Sequence, residues 1–219
     1  MLSFDAWQNF DADERAGASV GTTEFLGGGI GYDNATADIG SGVQAIATGD
    51  GGSSNDWRVF KAPPSFFVPD ADMAGGTHNG ADSYYADFFP AVAPPAAQGQ
   101  TASGTAGSPS FQWYTWVFTT VNDGIAHSVV IDVEKPNGDR LRTADIDCTD
   151  TSDGSSGCAS EGNISLFYGD IFSSVAPNPA RMFGLIDNVL VMTVPEPATA
   201  LLLGMGLAGL AVVGRRPRA

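Results

Sequence analysis

The C-terminal segment constrains this chain most. It reads VPEPATALLLGMGLAGLAVVGRRPRA and begins at Val194. Residues 198–214 carry no charge, and as a helix they would be about 25 Å long, slightly shorter than a hydrocarbon core of about 30 Å. Arg215, Arg216 and Arg218 follow directly, and arginines beside such a helix favour the cytoplasmic side of a membrane. The sequence therefore predicts a transmembrane helix over 198–214, with the preceding residues outside the cytoplasm.

The order of features in this segment also points to a known signal. Pro195, Glu196 and Pro197 precede the short apolar run, and Arg215 and Arg216 follow it. This arrangement resembles the PEP-CTERM sorting signal of exopolysaccharide-producing, mostly Gram-negative bacteria. The resemblance implies that a membrane-embedded exosortase cuts the tail and that the ectodomain reaches the cell surface or the extracellular matrix. The alternatives are an ordinary C-terminal anchor and a buried hydrophobic helix.

The resemblance divides the chain into an ectodomain, 1–193, and a sorting segment, 194–219. An exported chain should begin with a basic region followed by an apolar one, whereas this one begins MLSFDAWQNF. We therefore expect that the start is truncated or misassigned. The sorting segment specifies how the protein is handled in the cell, and it leaves the activity of the ectodomain open.

The composition of the ectodomain predicts an all-β fold. The chain contains 28 glycines and 13 prolines, and only 16% of its residues are charged. Turn-forming residues separate short runs rich in aromatic and β-branched side chains, and long amphipathic patterns are absent from the sequence. We expect one domain of about eight strands, built as an antiparallel two-sheet jelly-roll sandwich and followed by the C-terminal transmembrane helix. The predicted strands cover 2–10, 43–48, 57–60, 111–120, 129–133, 141–146, 164–168 and 182–194.

Two other segments receive different interpretations. The glycine-rich run GGGIG at 27–31 lacks the spacing and the lysine of a phosphate-binding loop, so it is interpreted as a flexible loop. Residues 66–110 are irregular and are expected to lie over the surface, where binding residues often collect. The last strand contains FGLIDNVLV, which resembles the closing strand of concanavalin-like and LamG-like jelly rolls. A galactose-binding-like jelly roll is the alternative.

The charge balance restricts the partners. The chain has 25 acidic and 10 basic residues, and removing Glu196 and the three tail arginines leaves 24 and 7, a net charge of −17 on the ectodomain. Such a surface repels phosphate backbones, so we expect no nucleic-acid partner. It is compatible with divalent cations and with neutral sugars, including an exopolysaccharide.

The sequence contains no convincing catalytic pattern. His78 and His127 are its only histidines, and their separation gives no zinc-ligand spacing. The elbow motif of serine hydrolases, the paired histidines of zinc proteases and the acidic strand of jelly-roll glycosidases are all missing. Asp145 and Asp147 share one face of a strand, and a solvated or cation-binding role is favoured over catalysis for them. We therefore expect no enzyme activity and no catalytic cofactor, with a glycan-active enzyme as the weakest alternative.

Two functions remain for the ectodomain. The first is a structural or matrix-interaction protein, which needs only the sandwich, the acidic surface and the tail. The second is a carbohydrate-binding module, because exposed aromatic rings stack on sugar faces. Its candidate residues are Trp57, Tyr84 and Tyr85, whereas Trp113 and Trp116 are expected in the core.

A disulfide is predicted between Cys148 and Cys158. They are the only cysteines of an exported chain, and the nine residues between them are rich in glycine, serine and aspartate. Such a short flexible segment lets the two side chains meet without strain.

A structural calcium site is the last prediction. Alternation along the closing strand places Asp187 on its apolar face, where an unpartnered carboxylate would be costly. Basic partners are few, so a calcium ion bound by Asp187 together with Asp5, Asp11, Asp13 or Glu14 is one solution. The alternative is that Asp187 accepts hydrogen bonds from the backbone or from Asn188, without a metal.

Overall fold

The computed structural model of the protein describes residues 1–17, 21–33, 41–61, 66–122, 127–152, 154–155, 157–159, 162–172 and 175–193. This part of the chain is dominated by β-structure, with two short helices, α1 (Ala12–Ala16) and α2 (Ser83–Ala86). Its ten strands are β1 (Leu2–Asn9), β2 (Phe25–Tyr32), β3 (Val43–Thr48), β4 (Trp57–Lys61), β5 (Phe66–Phe67), β6 (Tyr114–Asn122), β7 (His127–Glu134), β8 (Arg140–Asp147), β9 (Asn163–Gly169) and β10 (Phe183–Val191). The predicted membrane helix lies outside the described residues.

The strands form two five-stranded sheets. The first sheet, sheet A, has the order β10-β1-β6-β7-β8, and the second, sheet B, has the order β5-β4-β3-β2-β9. Each pair of neighbouring strands runs antiparallel. The prediction of an all-β protein with two antiparallel sheets is therefore confirmed.

The main core lies between the sheets. Leu2, Phe4 and Ala6 alternate along β1 and are completely buried, because a strand presents every second residue to the same face. Residues of sheet B and of the later strands of sheet A complete this core, among them Leu26, Val43, Ala45, Trp57, Val59, Trp116, Phe118, Val129, Ile131 and Val133.

A smaller core covers the other face of sheet A. Trp7 follows Ala6 in β1 and therefore points to the opposite face. It packs with Phe10, Ala12 and Phe111. Helix α1 contributes Ala12, and Asp11 caps the helix by accepting a hydrogen bond from the Glu14 backbone N–H. The buried members of the two cores lie between Leu2 and Cys148, and partly buried residues as far as Ile186 pack against them. Both hydrophobic cores are thus made of residues of the ectodomain.

The glycine-rich run belongs to a strand, so its interpretation as a flexible loop was wrong. Residues 27–31 lie in β2, which pairs with β3 on one side and β9 on the other. A Cβ atom at Gly28 would come within 2.9 Å of the Phe4 ring on the facing sheet. The missing side chains allow β1 and β2 to approach closely, and this packing outweighs the low strand propensity of glycine.

Strand β6 begins three residues later than predicted, which changes the position of one tryptophan. Phe111 has a φ of +57°, a left-handed conformation that interrupts an extended strand. Trp116 is buried as expected, and Phe118 is buried too, whereas Trp113 lies before the strand and is 41% exposed. The expectation that Trp113 belongs to the core was therefore wrong.

Candidate functional site

The end of the last strand is attached to the first residue. The amino group of Met1 donates a hydrogen bond to the Met192 carbonyl at 2.7 Å, and the Met192 N–H donates to the Met1 carbonyl at 2.9 Å. Strand β10 is also paired along β1, from Phe183 opposite Asn9 to Val191 opposite Leu2. The predicted sorting segment therefore continues directly from a strand that is part of the folded sandwich.

Strand β10 is an edge strand of sheet A, and its end exposes large apolar side chains. We call five of them the apolar edge: Leu185, Val189, Leu190, Val191 and Met192, which are between 43% and 59% exposed. The single charged residue of β10 is Asp187. Several exposed apolar residues on one edge strand are unusual, since edges are commonly protected by charges or by short length.

Two of the three candidate sugar-binding residues are in the core. Trp57 and Tyr85 have no exposed surface, and their rings stack with centroids 4.9 Å apart. The Trp57 indole also packs on Phe89, and its Nε1–H donates to the Gly107 carbonyl at 2.9 Å. Neither ring can stack on a sugar, so these two assignments were wrong. The irregular segment folds back over β4 and buries its own aromatic residues.

Tyr84 is the remaining member of the predicted platform. It is half-buried, and its hydroxyl donates to the Arg142 carbonyl at 2.7 Å, which fixes the ring against β8. Burial raises the pKa of the Tyr84 hydroxyl. A single half-buried ring offers much less stacking area than the three-residue platform that the sequence predicted.

Asp187 lies on the surface, in contrast to the prediction that it is buried. Ile186 is opposite Ala6, so Asp187 points to the other face, and the register with β1 shifts beyond Asp187. Asn188 has a φ of +49° at this bulge, and its N–H donates to Asp187 Oδ1 at 2.7 Å. The bulge interrupts the strict alternation on which the prediction depended. The structure therefore agrees with the alternative prediction for Asp187, in which the carboxylate accepts a hydrogen bond from Asn188.

The other predicted calcium ligands have protein partners. Asp5 accepts hydrogen bonds from Thr115 Oγ1 at 2.6 Å and from Asn188 Nδ2 at 2.7 Å. Asp11 and Asp13 both contact Arg181, at 2.9 Å and 3.3 Å, and Glu14 is the third residue of α1.

Asp13 also accepts the N–H groups of Thr101 and Ala102, which lower its pKa to about 2. Within the described ranges, no three acidic, histidine or cysteine side chains are arranged to hold a metal ion. The predicted set is therefore not assembled there, and calcium binding stays an untested prediction.

The predicted disulfide is confirmed. Cys148 and Cys158 are bonded, and the Cys158 N–H donates to the Cys148 carbonyl at 3.0 Å. Cys148 follows β8 and is buried against the main core, so the bond attaches the loop after β8 to the sandwich.

A shallow groove of about 80 Å³ lies beside this loop, at the edge opposite to β10. Four carboxylates and one lysine line it, together with Val68 and Ile146: Asp72, Asp145, Asp147, Asp150 and Lys61. Lys61 is buried, and its ammonium donates to the Asp150 carbonyl at 3.1 Å. Asp147 accepts from the Thr149 hydroxyl and N–H, which lower its pKa. Asp150 likewise accepts the Ser152 N–H, and Asp145 contacts Arg142. These contacts describe a structural cluster.

Sequence reasoning missed a pair of buried carboxylates, Asp50 and Asp56, both almost inaccessible to solvent. Asp50 accepts from the Thr22 and Thr23 hydroxyls. Asp56 accepts from Ser53 N–H at 3.0 Å and Gly80 N–H at 3.2 Å, and so connects the β3–β4 turn to the irregular segment. Burial raises the pKa of Asp56 to about 6 and also raises the pKa of Asp50. The available signal for Asp56 was its place in a turn, three residues after Ser53, whose N–H it accepts.

These carboxylates predict a pH dependence of stability. Because the pKa of Asp56 rises on folding from 3.8 to about 6, its stabilising contribution is present below pH 4 and is lost as the pH rises through 6. The free energy of unfolding should therefore fall between pH 4 and pH 7, by about 3 kcal/mol from this residue. Urea unfolding of the ectodomain at pH 4, 5, 6 and 7 measures the slope.

The control for this prediction is Asp56→Asn, which removes the titrating group. Asp13 has a lowered pKa, so its contribution is lost only as the pH falls below 4, outside this window. The variant should show a flatter profile between pH 4 and pH 7, even if it is less stable throughout. Equal slopes in the variant and the wild type would contradict the assignment to Asp56.

A comparison with known protein families identifies the segment that follows β10. The family model of the PEP-CTERM protein-sorting motif matches residues 193–216, so the chain carries this motif, as its sequence predicted. The motif implies export and sorting to the cell surface. No curated protein and no solved structure matches the chain. Among the described residues, no helix is long and apolar enough to cross a membrane.

Proposed function

We propose that the protein is exported, cut by an exosortase near Pro195-Glu196-Pro197 and released as a non-catalytic structural or interaction protein. Its site of action is the cell surface or the extracellular matrix of an exopolysaccharide-producing bacterium. One observation carries this proposal: the sorting motif at 193–216 begins two residues after β10 ends. Before the cut, the helix over 198–214 anchors the chain in the inner membrane.

The environment of His78 supports a non-catalytic ectodomain. This residue is 2% exposed, and its two ring nitrogens lie 2.7 Å from the Trp57 carbonyl and 2.8 Å from the Val68 carbonyl. The ring also stacks on Phe67. His78 therefore joins β4 to the segment after β5, which is a structural role. A general base must reach its substrate within hydrogen-bond distance, and a ring enclosed in this way cannot.

The pairing of the first and last strands supports a more specific fold proposal. Strand β10 lies next to β1 at the edge of sheet A, and FGLIDNVLV forms that strand. We propose a concanavalin-like or LamG-like jelly roll. FGLIDNVLV resembles the closing strand of these folds, and it forms the last strand of this one. A galactose-binding-like topology stays the alternative.

Carbohydrate binding is the second candidate function, and the residue that now supports it differs from those that the sequence predicted. Trp113 is the exposed tryptophan among the described residues, at 41%. An exposed indole can stack on a sugar ring, whereas Trp57 and Tyr85 cannot. This alternative now depends on Trp113 and Tyr84, and a glycan array with the Trp113→Ala ectodomain as control would test it.

Mass spectrometry of the secreted protein tests the proposed function. In a host that has an exosortase, the released form should lack Ala198 to Ala219 and should end near Pro195-Glu196-Pro197. Replacing these three residues by alanine should leave the chain uncut and in the membrane fraction. Intact 1–219 in the extracellular fraction, or equal release from a host without an exosortase, would contradict the proposal.

A further inference from the structure

We propose that strand β10 is a docking edge for an extended segment of another protein, which adds a strand to sheet A and carries a lysine or arginine that faces Asp187. The outer side of an edge strand presents backbone N–H and C=O groups that a further strand can bind. In such a contact the backbone bonds supply affinity and the facing side chains supply specificity. This inference rests on the interaction role proposed for the ectodomain, and it names the kind of partner.

The other sheet edges are less suited to a charged partner strand. Strand β8 carries charges of both signs, and its arginines pair with Asp132 and Glu134. Strand β5 has two residues, and β9 carries no charged side chain. Charges and short length are devices that prevent edge-to-edge pairing. Strand β10 has nine residues without lysine, arginine or proline, and its single charge is Asp187. It therefore combines an open edge with one specific charge.

Two positions on the outer face of β10 define what a docked strand must carry. Leu185 lies opposite Trp7 and Asp187 lies opposite Asp5, on the face of sheet A that points away from the main core. Leu185 is 45% exposed, and it shares this face with Asp187 because the two residues are two positions apart. A strand added beside β10 would therefore place an apolar side chain against Leu185 and, two residues away, a basic side chain against Asp187.

The carboxylates on this face have no basic neighbour. Asp5 and Asp187 are register partners across β1 and β10, and like charges directly opposite each other destabilise a sheet. Thr115 and Asn188 donate to Asp5, and the Asn188 N–H donates to Asp187. Among the described residues, no lysine, arginine or histidine forms an ion pair with either carboxylate. A basic side chain from a docked strand would offset this repulsion.

The net charge of the ectodomain favours a basic partner over a second copy of the chain. The ectodomain has 24 acidic and 7 basic residues, a net charge of −17, so two copies repel each other. In an antiparallel pair of β10 strands, Asp187 would also meet the same carboxylate of the other copy. A basic segment is attracted both by the facing carboxylates and by the overall charge. Its binding should weaken as salt is raised, because salt screens exposed charges.

A synthetic peptide, TKVLVKT, tests the docking edge. Its leucine and both lysines lie on one face of a strand, and the sequence reads the same in both directions, so a lysine can face Asp187 in either orientation. Fluorescence anisotropy of the labelled peptide with the full chain 1–219 in a nonionic detergent should show saturable binding, with detergent alone as the blank.

Two further peptides separate strand addition from general attraction. TKVPVKT keeps the charge of TKVLVKT, but its proline lacks a backbone N–H and disfavours a paired strand. It should bind at least about fivefold more weakly, the equivalent of one lost hydrogen bond. TEVLVET keeps the strand pattern and reverses the charge, so it should not bind.

Single variants locate the contact on β10. Leu185→Lys should raise the dissociation constant of TKVLVKT at least about tenfold, since its ammonium would meet the lysines of the peptide. Val121→Lys is the matched control, because it adds the same charge at a position that is 44% exposed on the interior strand β6, and it should bind the peptide as the wild type does. Asp187→Asn should raise the constant about two- to fivefold, as expected for one opposite-charge pair across two strands. Asp145→Asn on β8 removes the same charge at the opposite edge and should leave the constant unchanged.

Each result decides the proposal. Bound TKVLVKT should also slow backbone hydrogen exchange within 183–191. Equal binding of TKVLVKT and TKVPVKT, equal effects of Leu185→Lys and Val121→Lys, or unchanged exchange over 183–191 would overturn the proposal and assign the binding to general attraction by the acidic surface. Absence of saturable binding would overturn it too. If Leu185→Lys does not fold, the comparison of Asp187→Asn with Asp145→Asn decides. The peptide experiment involves no processing step, so it and the exosortase experiment fail separately.

Discussion

Trp57→Ala should destabilise the ectodomain by about 4 kcal/mol, the loss typical of a large aromatic residue removed from a core. The side chain is completely buried, stacks on Tyr85 and Phe89 and meets Trp116 edge-on at 5.8 Å. Its loss would also leave the Gly107 carbonyl without the indole donor. Thermal unfolding of 1–195 should show a melting temperature lower by about 8–16 °C.

Trp113→Ala is the matched control for this prediction. It removes the same side chain from a position that is 41% exposed, and its cost should be within about 0.5 kcal/mol. Similar losses for the two variants would mean that the two tryptophans have similar environments, contrary to the structure.

Removing the disulfide should have the second largest effect. Cys148 and Cys158 are ten positions apart, and closing a loop of this length lowers the entropy of the unfolded chain by an amount worth about 3 kcal/mol. The variant Cys148→Ala/Cys158→Ala should therefore unfold at lower urea concentration than the oxidised wild type. Urea titration followed by tryptophan fluorescence measures the difference.

The reduced wild type provides the comparison for this prediction. It keeps both cysteine side chains and loses only the covalent bond, so its stability should lie close to that of the double variant. A double variant as stable as the oxidised wild type would show that the loop contributes nothing through its closure. A reduced wild type much more stable than the variant would assign the effect to packing of Cys148.

Regular alternation made much of the sandwich predictable from sequence. In β1, β3 and β7, apolar residues recur at every second position, and the structure places these strands close to the predicted bounds. The strands predicted over 129–133 and 141–146 pair as β7 and β8, with Asn137 and Gly138 between them. For these strands the local pattern of residue types was enough for the prediction. The apolar residues of the pattern are the ones that the paired strands bury.

The errors arose where a contact distant in sequence decides the conformation. Gly28 is in a strand because Phe4 fills the space of its missing side chain. Trp57 is buried because Tyr85 and Phe89 return over it from the irregular segment. Asp187 is exposed because Ile186, opposite Ala6 of the main core, takes the inward position, and Asp187 lies with Leu185 on the outer face of an edge strand. Only the fold brings these partners together, so local sequence could not reveal them.

The hydrogen-bonded ladder between β10 and β1 determines how the ectodomain resists mechanical force from its tail. In the proposed membrane-anchored precursor, tension on the tail that acts along the axis of β10 meets bonds to β1 that lie across that axis. The ladder extends from Phe183 opposite Asn9 to Val191 opposite Leu2, and its bonds share the load in shear. A ladder pulled in this direction must break many bonds together, whereas one peeled from its end opens them one at a time. In the proposed precursor, before the cut, the tail is therefore joined to the sandwich through a ladder that carries its load in shear.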